Sequence, residues 1–285
     1  MDQIRSEEFT VRATDADLPA VLSYHESVAP ANCVVLCHGM GSSRDDLLLR
    51  SISDGLLSGG ASAMPLATVR FTFSQGRSNL FSGYESSERP ELDAVIDHLR
   101  ERMGRKVIAV AGHSKGATVA ALHAASRPAV SHKEESHDPF CICSISGRFD
   151  LRAGVSERLA DGEALVAEIM RSADRERLWH AQMRPRPGKP DRTFDVSRAQ
   201  LEERFGIDLG EAVSKVQAPM LIIHGTEDEV IPFADAGRLA EAYGDGEVAV
   251  VAVEGADHNF RGEGMSAQVA QALGEFIATH CAASP

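Results

Sequence analysis

Gly112-His113-Ser114-Lys115-Gly116 is the stretch on which the reading of the fold turns. It is a G-x-S-x-G sequence lying between a β-branched run, Val107 to Ala111, and an alanine-rich segment, Lys115 to about Ser126, that reads as a helix. In that setting the glycines have a steric reason. The turn is so sharp that a side chain at Gly112 or Gly116 would collide with neighbouring backbone, while the serine is held in a strained conformation that lifts its hydroxyl clear of the sheet. An ordinary strand-to-helix turn, with Ser114 as N-cap, is the plainer alternative.

Outward from this turn the chain alternates short apolar runs with amphipathic segments, the pattern of a parallel sheet covered by helices. Phe9 to Ala13 and Ala20 to His25 read as an opening antiparallel pair. Strands are predicted at Cys33 to His38, Ala67 to Phe73, Val107 to Ala111, Cys141 to Ser146, Met220 to His224 and Val248 to Val253. Helices are predicted at Asp45 to Leu57, Pro90 to Arg102, Lys115 to about Ser126, Phe233 to Tyr243 and Met265 to His280. In the first helix Leu48, Ile52 and Leu56 recur every turn and Arg44, Asp45 and Asp54 face water. The expectation is an α/β fold with a mostly parallel sheet of about eight strands.

Between Arg148 and Arg204 the alternation stops. The segment reads as short helices broken at Pro185, Pro187 and Pro190, with a capping box at Ser197 and Gln200. It carries nearly as many acids as bases, so the acidity of the chain lies elsewhere. A helical lid at 148–205, inserted after the sixth strand into a core formed by 1–147 and 206–285, is the domain reading. Ser131 to Asp138 is polar, and the spacing of its His132 and His137 fits no common metal-ligand pattern.

Composition narrows the classes. With 29 Lys+Arg against 42 Asp+Glu in 285 residues, the net charge of −13 argues against nucleic acid or an anionic membrane as partner. Met1 to Thr10 is acidic and lacks the apolar run of a signal peptide, and no stretch is long and apolar enough for a membrane span. A soluble, cytoplasmic chain with no membrane anchor is expected. Four of the five cysteines (Cys33, Cys37, Cys141, Cys143 and Cys281) lie in strand-like runs, where a thiol behaves as a small hydrophobe, so disulfides are not expected. Oligomeric state is not legible.

A serine hydroxyl needs a base, and the base an orienting acid. His224-Gly225-Thr226-Glu227-Asp228 puts Asp228 on the loop after one predicted strand, with Glu227 as the alternative acid. Asp257-His258-Asn259 puts His258 on the loop after the last strand. His224, ending a buried strand, reads as structural. Two backbone donors are needed for an oxyanion. Lys115 N–H at the helix start is one, and Met40 N–H in His38-Gly39-Met40-Gly41 is the other, with Gly39 and Gly41 giving the loop its freedom.

The serine, acid, histidine order past successive strands resembles the α/β-hydrolases, and nearly the whole chain, from about Phe9 to Ile277, is similar to their serine aminopeptidase-like and cinnamoyl (feruloyl) esterase-like group. Phe73-Ser74-Gln75-Gly76-Arg77-Ser78 resembles that group's F-x-x-x-G-x-S turn. Ile145-Ser146-Gly147-Arg148-Phe149-Asp150 resembles the lid entry of plant and fungal esterase-like members. The resemblance implies the α/β-hydrolase fold, Ser114, Asp228 and His258 as a catalytic triad, Met40 and Lys115 as oxyanion donors, and no cofactor or metal. It implies a small-molecule ester substrate cleaved through an acyl-enzyme, with Arg148 and Trp179 of the lid as substrate-binding candidates. The cationic side chain of Lys115, with Arg148 and Arg152, points to esters bearing an anionic group. An aminopeptidase or acyltransferase would use the same triad, and a receptor that keeps the hydrolase pocket would show little turnover.

Overall fold

The computed structural model describes residues 3–26, 31–58, 64–74, 81–127, 140–184, 193–243 and 246–281. In chain order the elements are β1 (Ile4–Arg12), β2 (Asp17–His25), β3 (Asn32–Cys37), α1 (Leu47–Leu57), β4 (Ala67–Phe71), α2 (Arg89–Glu101), β5 (Lys106–His113), α3 (Lys115–Ser126) and β6 (Cys141–Ile145). Then come α4 (Val155–Arg158), α5 (Gly162–Arg171), β7 (Leu178–Gln182), β8 (Thr193–Ser197), α6 (Arg198–Gly206), α7 (Leu209–Ser214), β9 (Met220–Gly225), α8 (Ala234–Tyr243), β10 (Val248–Val253) and α9 (Met265–Cys281). A π-helical turn, Tyr84–Glu88, leads into α2.

Eight strands form one sheet in the order β1-β2-β4-β3-β5-β6-β9-β10. Every pair from β4 to β10 is parallel, and β1 with β2 and β2 with β4 are antiparallel. Period-two burial explains why the central strands are apolar throughout. Cys33, Val35 and Cys37 of β3 face one layer, with Leu92, Val95 and Leu99 of α2, Val119 and Leu122 of α3, and Leu239 of α8. Val34 and Leu36 face the other, with Leu48, Ile52 and Leu56 of α1 and Val269, Leu273 and Ile277 of α9. Each such fully buried Val, Leu or Ile contributes roughly 1.5–3 kcal/mol. All five cysteines are buried free thiols, and burial pushes Cys33 up to about 12. Among the described residues no helix is long and apolar enough to cross a membrane.

The structure departs from the expected elements in places. β1 begins at Ile4 rather than Phe9, because its first half, Ile4-Arg5-Ser6-Glu7-Glu8, is a polar edge that pairs through backbone with Glu7 opposite Leu22 and Glu8 opposite Val21. Arg44 does not simply face water, since its guanidinium donates to Ala20 O and pairs with Glu8. The segment between β6 and β9 is not only helical. β7 and β8 form an antiparallel hairpin whose Trp179, Ala181, Phe194 and Val196 turn inward onto Phe81, Leu159, Ile169 and Leu201, a small core separate from the two sheet layers. That alternation over five residues is a strand period, hidden in the sequence by the prolines between the two runs. The capping box at Ser197 and Gln200 is present in full. The prolines Pro185, Pro187 and Pro190, the Ser131 to Asp138 loop with His132 and His137, and Gln75 to Ser78 lie outside the described residues.

The strand order reverses between β3 and β5, since β4 lies on one side of β3 and β5 on the other. A crevice opens there past the carboxyl ends of the strands. At the turn after β5 the glycines are held by backbone. A Cβ on Gly112 would stand 2.1 Å from Gly116 O, and one on Gly116 would stand 2.5 Å from Cys37 O and 2.7 Å from His38 O. Gly237 in α8 has open space around it. Denaturant unfolding therefore separates the two sites. Gly116→Ala is expected to lose about 2–3 kcal/mol or to prevent folding, whereas Gly237→Ala is expected to gain about 0.5–1 kcal/mol from helix propensity.

Candidate active site

Ser114 stands at φ 56°, ψ −114°, a region that a non-glycine residue occupies only when its surroundings enforce it. Its N–H donates to Ile145 O at 2.8 Å, tying the turn to β6. The side chain makes no capping hydrogen bond to α3, so the plain N-cap reading does not describe it. The hydroxyl instead faces His258, with Oγ 3.1 Å from Nε2.

His258 Nδ1 is 2.7 Å from Asp228 Oδ2. A carboxylate oxygen can only accept, so Nδ1 carries the proton and Nε2 presents its lone pair to the serine. Asp228 Oδ1 accepts from Val230 N and Ile231 N, both at 2.8 Å. Burial alone would raise the Asp228 carboxyl, but hydrogen bonds from His224 and His258, the His258 charge and the Ile231 amide outweigh it and hold the group well below the usual carboxylate range. His258 is shifted down, first by burial, with Asp228 opposing. The base is thus neutral and the acid ionised near neutral pH. Glu227 is exposed and takes no part in this chain of bonds.

Two further histidines brace the site. His224, fully buried, donates from Nε2 to Ile231 O at 3.0 Å, with Asp228 Oδ2 at 3.3 Å, so the structural role read from the sequence extends to steadying the acid. His113 lies at the turn between β5 and α3 itself, 2.9 Å through Nε2 from His258 O, and burial followed by the His258 charge shifts it down. His113 was legible only as part of the G-x-S-x-G frame, since nothing local shows that it reaches a loop 145 residues away.

The loop after β3 abuts the serine. A Cβ on Gly39 would stand 3.2 Å from Ser114 Cβ, and Gly41 adopts φ 68° in a turn closed by Ser42 N donating to Gly39 O. That bond leaves the Met40 amide out of the turn's own pairing. His38 Nε2 accepts from Phe73 N at 3.1 Å, which fixes Nδ1 as donor to Gly39 O at 2.7 Å. Met40, Ser114 and Lys115 line one cavity. The Lys115 amide opens α3, where no preceding turn supplies an acceptor.

The side chain of Lys115 does not act as the sequence suggested. It is buried, with Nζ 2.6 Å from Ser82 O and 2.8 Å from Glu88 Oε1, and 4.9 Å from the Tyr84 ring centroid. Burial raises Glu88 to about 7 against the opposing Lys115 charge. Arg152 is exposed and donates to Phe205 O, away from the cavity. Trp179 packs in the small core of the β7–β8 hairpin beneath Arg177, with Nε1 donating to Glu168, and does not line the cavity. Arg148 does line it, donating to Val230 O at 2.7 Å. Tyr84, Thr118, Leu151, Arg158, Arg204 and Ile231 complete the wall. Arg158 and Arg204 carry no signal in the sequence, because each sits in a short polar helix whose packing partner is distant. The cavity is narrow, about 10 Å³, roughly the space one water needs. Among the described residues no group of His, Cys, Asp and Glu is arranged to hold a metal ion.

The same fold occurs in solved structures of distant sequence. An esterase domain from Rhodothermus marinus superposes with TM-score 0.67 at 21% identity, covering 98% of this chain and 99% of that one. Est1E from Butyrivibrio proteoclasticus, with ferulic acid bound, gives TM-score 0.68 at 17% identity, covering 95% and 98%. A dienelactone hydrolase from Anabaena variabilis gives TM-score 0.64 at 18% identity, covering 98% and 99%. No curated protein matches the sequence. The sequence pattern of the alpha/beta hydrolase family matches residues 34–272, most of the chain and every element that carries the site, and the protein belongs to that family.

Proposed function

We propose that the chain is a serine carboxylesterase, of the feruloyl-esterase-like type, that cleaves small carboxylic esters through an acyl-enzyme. The observation that carries this reading is the unbroken chain from Ser114 Oγ to His258 to Asp228, at 3.1 and 2.7 Å, at the end of the crevice. Ser114 Oγ attacks the ester carbonyl while its proton passes to His258 Nε2. The developing oxyanion is met by the Lys115 and Met40 amides. Collapse breaks the bond to the leaving alcohol, which takes the proton from His258. Water then gives a proton to the same nitrogen and attacks the acyl carbon, releasing the acid and restoring Ser114. Asp228 holds the tautomer and faces the imidazolium each time it forms. The five buried free thiols support a cytoplasmic, reducing setting.

Two measurements test the scheme. With a panel of short to long acyl and cinnamoyl esters, Ser114→Ala is expected to lower kcat by about 10⁴-fold or more, and a fluorophosphonate is expected to label wild type at Ser114. Labelling without turnover of any ester would transfer the reading to an amide substrate, an acyl acceptor or a receptor. The second is the pH profile of kcat/KM. The base must be neutral, so activity is lost as pH falls through the His258 value, and burial sets that acid limb below the ordinary 6.5. An acid limb above 7 would contradict the buried environment of His258.

A further inference from the structure

Arg204 of α6 is 2% exposed, and among the described residues its partners are neutral. Nε donates to Leu151 O at 2.6 Å and Nη1 to the Tyr84 hydroxyl, and the guanidinium lies 5.7 Å from the Phe81 ring centroid and 5.6 Å from that of Tyr84. The neighbouring carboxylates are turned elsewhere. Glu202 pairs with Arg175 and Arg198, Glu203 accepts from the backbone of Gly83, Glu85 and Ser86, and Glu88 holds Lys115. A guanidinium stays protonated at any physiological pH, and a charge removed from water without a countercharge is strongly unfavourable. Ring faces and two neutral acceptors offset part of that penalty.

This cation forms part of the wall of the cavity that holds Ser114. Lys115, Arg148 and Arg158 line the same space, and no carboxylate does among the described residues. Thr118, in the first turn of α3, is on that wall too. Arg204 and Ser114 thus face the same small space, and an anionic group held by Arg204 would belong to the molecule whose carbonyl meets Ser114. The oxyanion needs no side-chain cation, since the Lys115 and Met40 amides face it, so the Arg204 guanidinium is left for a charge the substrate brings with it. A guanidinium suits a carboxylate in particular, because its fork of donors matches two oxygens in one plane.

We propose that the substrate is a hemiester of a short dicarboxylic acid, whose free carboxylate is held by Arg204 while its ester carbonyl meets Ser114. The inference rests on the esterase reading for the reaction and on Arg204 and the cavity for the charge. The sequence reading put an anion preference on Lys115, Arg148 and Arg152; in the fold Lys115 pairs with Glu88, Arg152 points away, and Arg148 lines the cavity.

The test compares 4-nitrophenyl hydrogen glutarate with its methyl-capped diester, identical but for the charge. Wild type is expected to favour the free carboxylate in kcat/KM by about 10-fold or more, the worth of one charge-assisted hydrogen bond. The ratio should collapse towards one in Arg204→Met and be partly kept in Arg204→Lys. Glutarate should raise the melting temperature of Ser114→Ala more than chloride at equal ionic strength, and should not do so when Arg204→Met is added. Equal rates on the two esters, with no glutarate shift, overturn the proposal, and both readings come from protein with Arg204 intact should the Met variant not fold. Cleavage without charge preference leaves the esterase standing and removes the anion site. A glutarate shift that requires Arg204, with no ester cleaved, does the reverse.

Discussion

Where α3 leaves β5, two stretches of backbone touch with nothing between them. Gly116 lies against the carbonyls of Cys37 and His38, and Gly112 against the carbonyl of Gly116, at separations that leave no room for a methyl group. This contact sets the distance between the ends of β3 and β5, hence between the Met40 loop and the serine. Gly39 closes against Ser114 Cβ for the same reason. The strained serine, the amide at the helix start and the amide of the β3 loop are thus spaced by main-chain sterics, not by adjustable side chains.

Around that frame the electrostatics follow from burial. His38, His113 and His258 are each pushed towards the neutral form by removal from water. Each also has a hydrogen-bond partner that fixes which way its ring faces. Asp228 is the exception, kept ionised because two backbone amides and two histidines converge on it. Lys115 shows the opposite solution, a cation sealed inside with its own carboxylate. Arg204 is almost removed from water and has no carboxylate partner among the described residues, and that imbalance beside Ser114 sets it apart from the ordinary interior of the protein.

The sequence made the parallel core legible because β3, β5, β6 and β9 are buried on both faces and so read as continuous apolar runs. The positions of Ser114, Asp228 and His258 were legible for a related reason, since each lies just past such a run and glycines mark the turns. What escaped depended on contacts between distant segments. The start of β1 is polar because it is an edge. The β7–β8 hairpin is two short runs far apart in the chain, with prolines between them. The direction of the Lys115 side chain is decided by Glu88 across the layer, and the placing of Arg204 by Tyr84 and Phe81, which no periodicity in α6 announces.

All five thiols are locked in the sheet layers and the last helix turn. The folded protein is therefore silent to thiol chemistry, and a reagent that reacts only with exposed sulfur reads out opening of the core and nothing else. The same silence gives a clean background at Ser114. A thiol placed at position 114 would be set apart from the five buried cysteines, so its reactivity would report the local field of Arg148, Arg158 and Arg204 with no correction for other thiols.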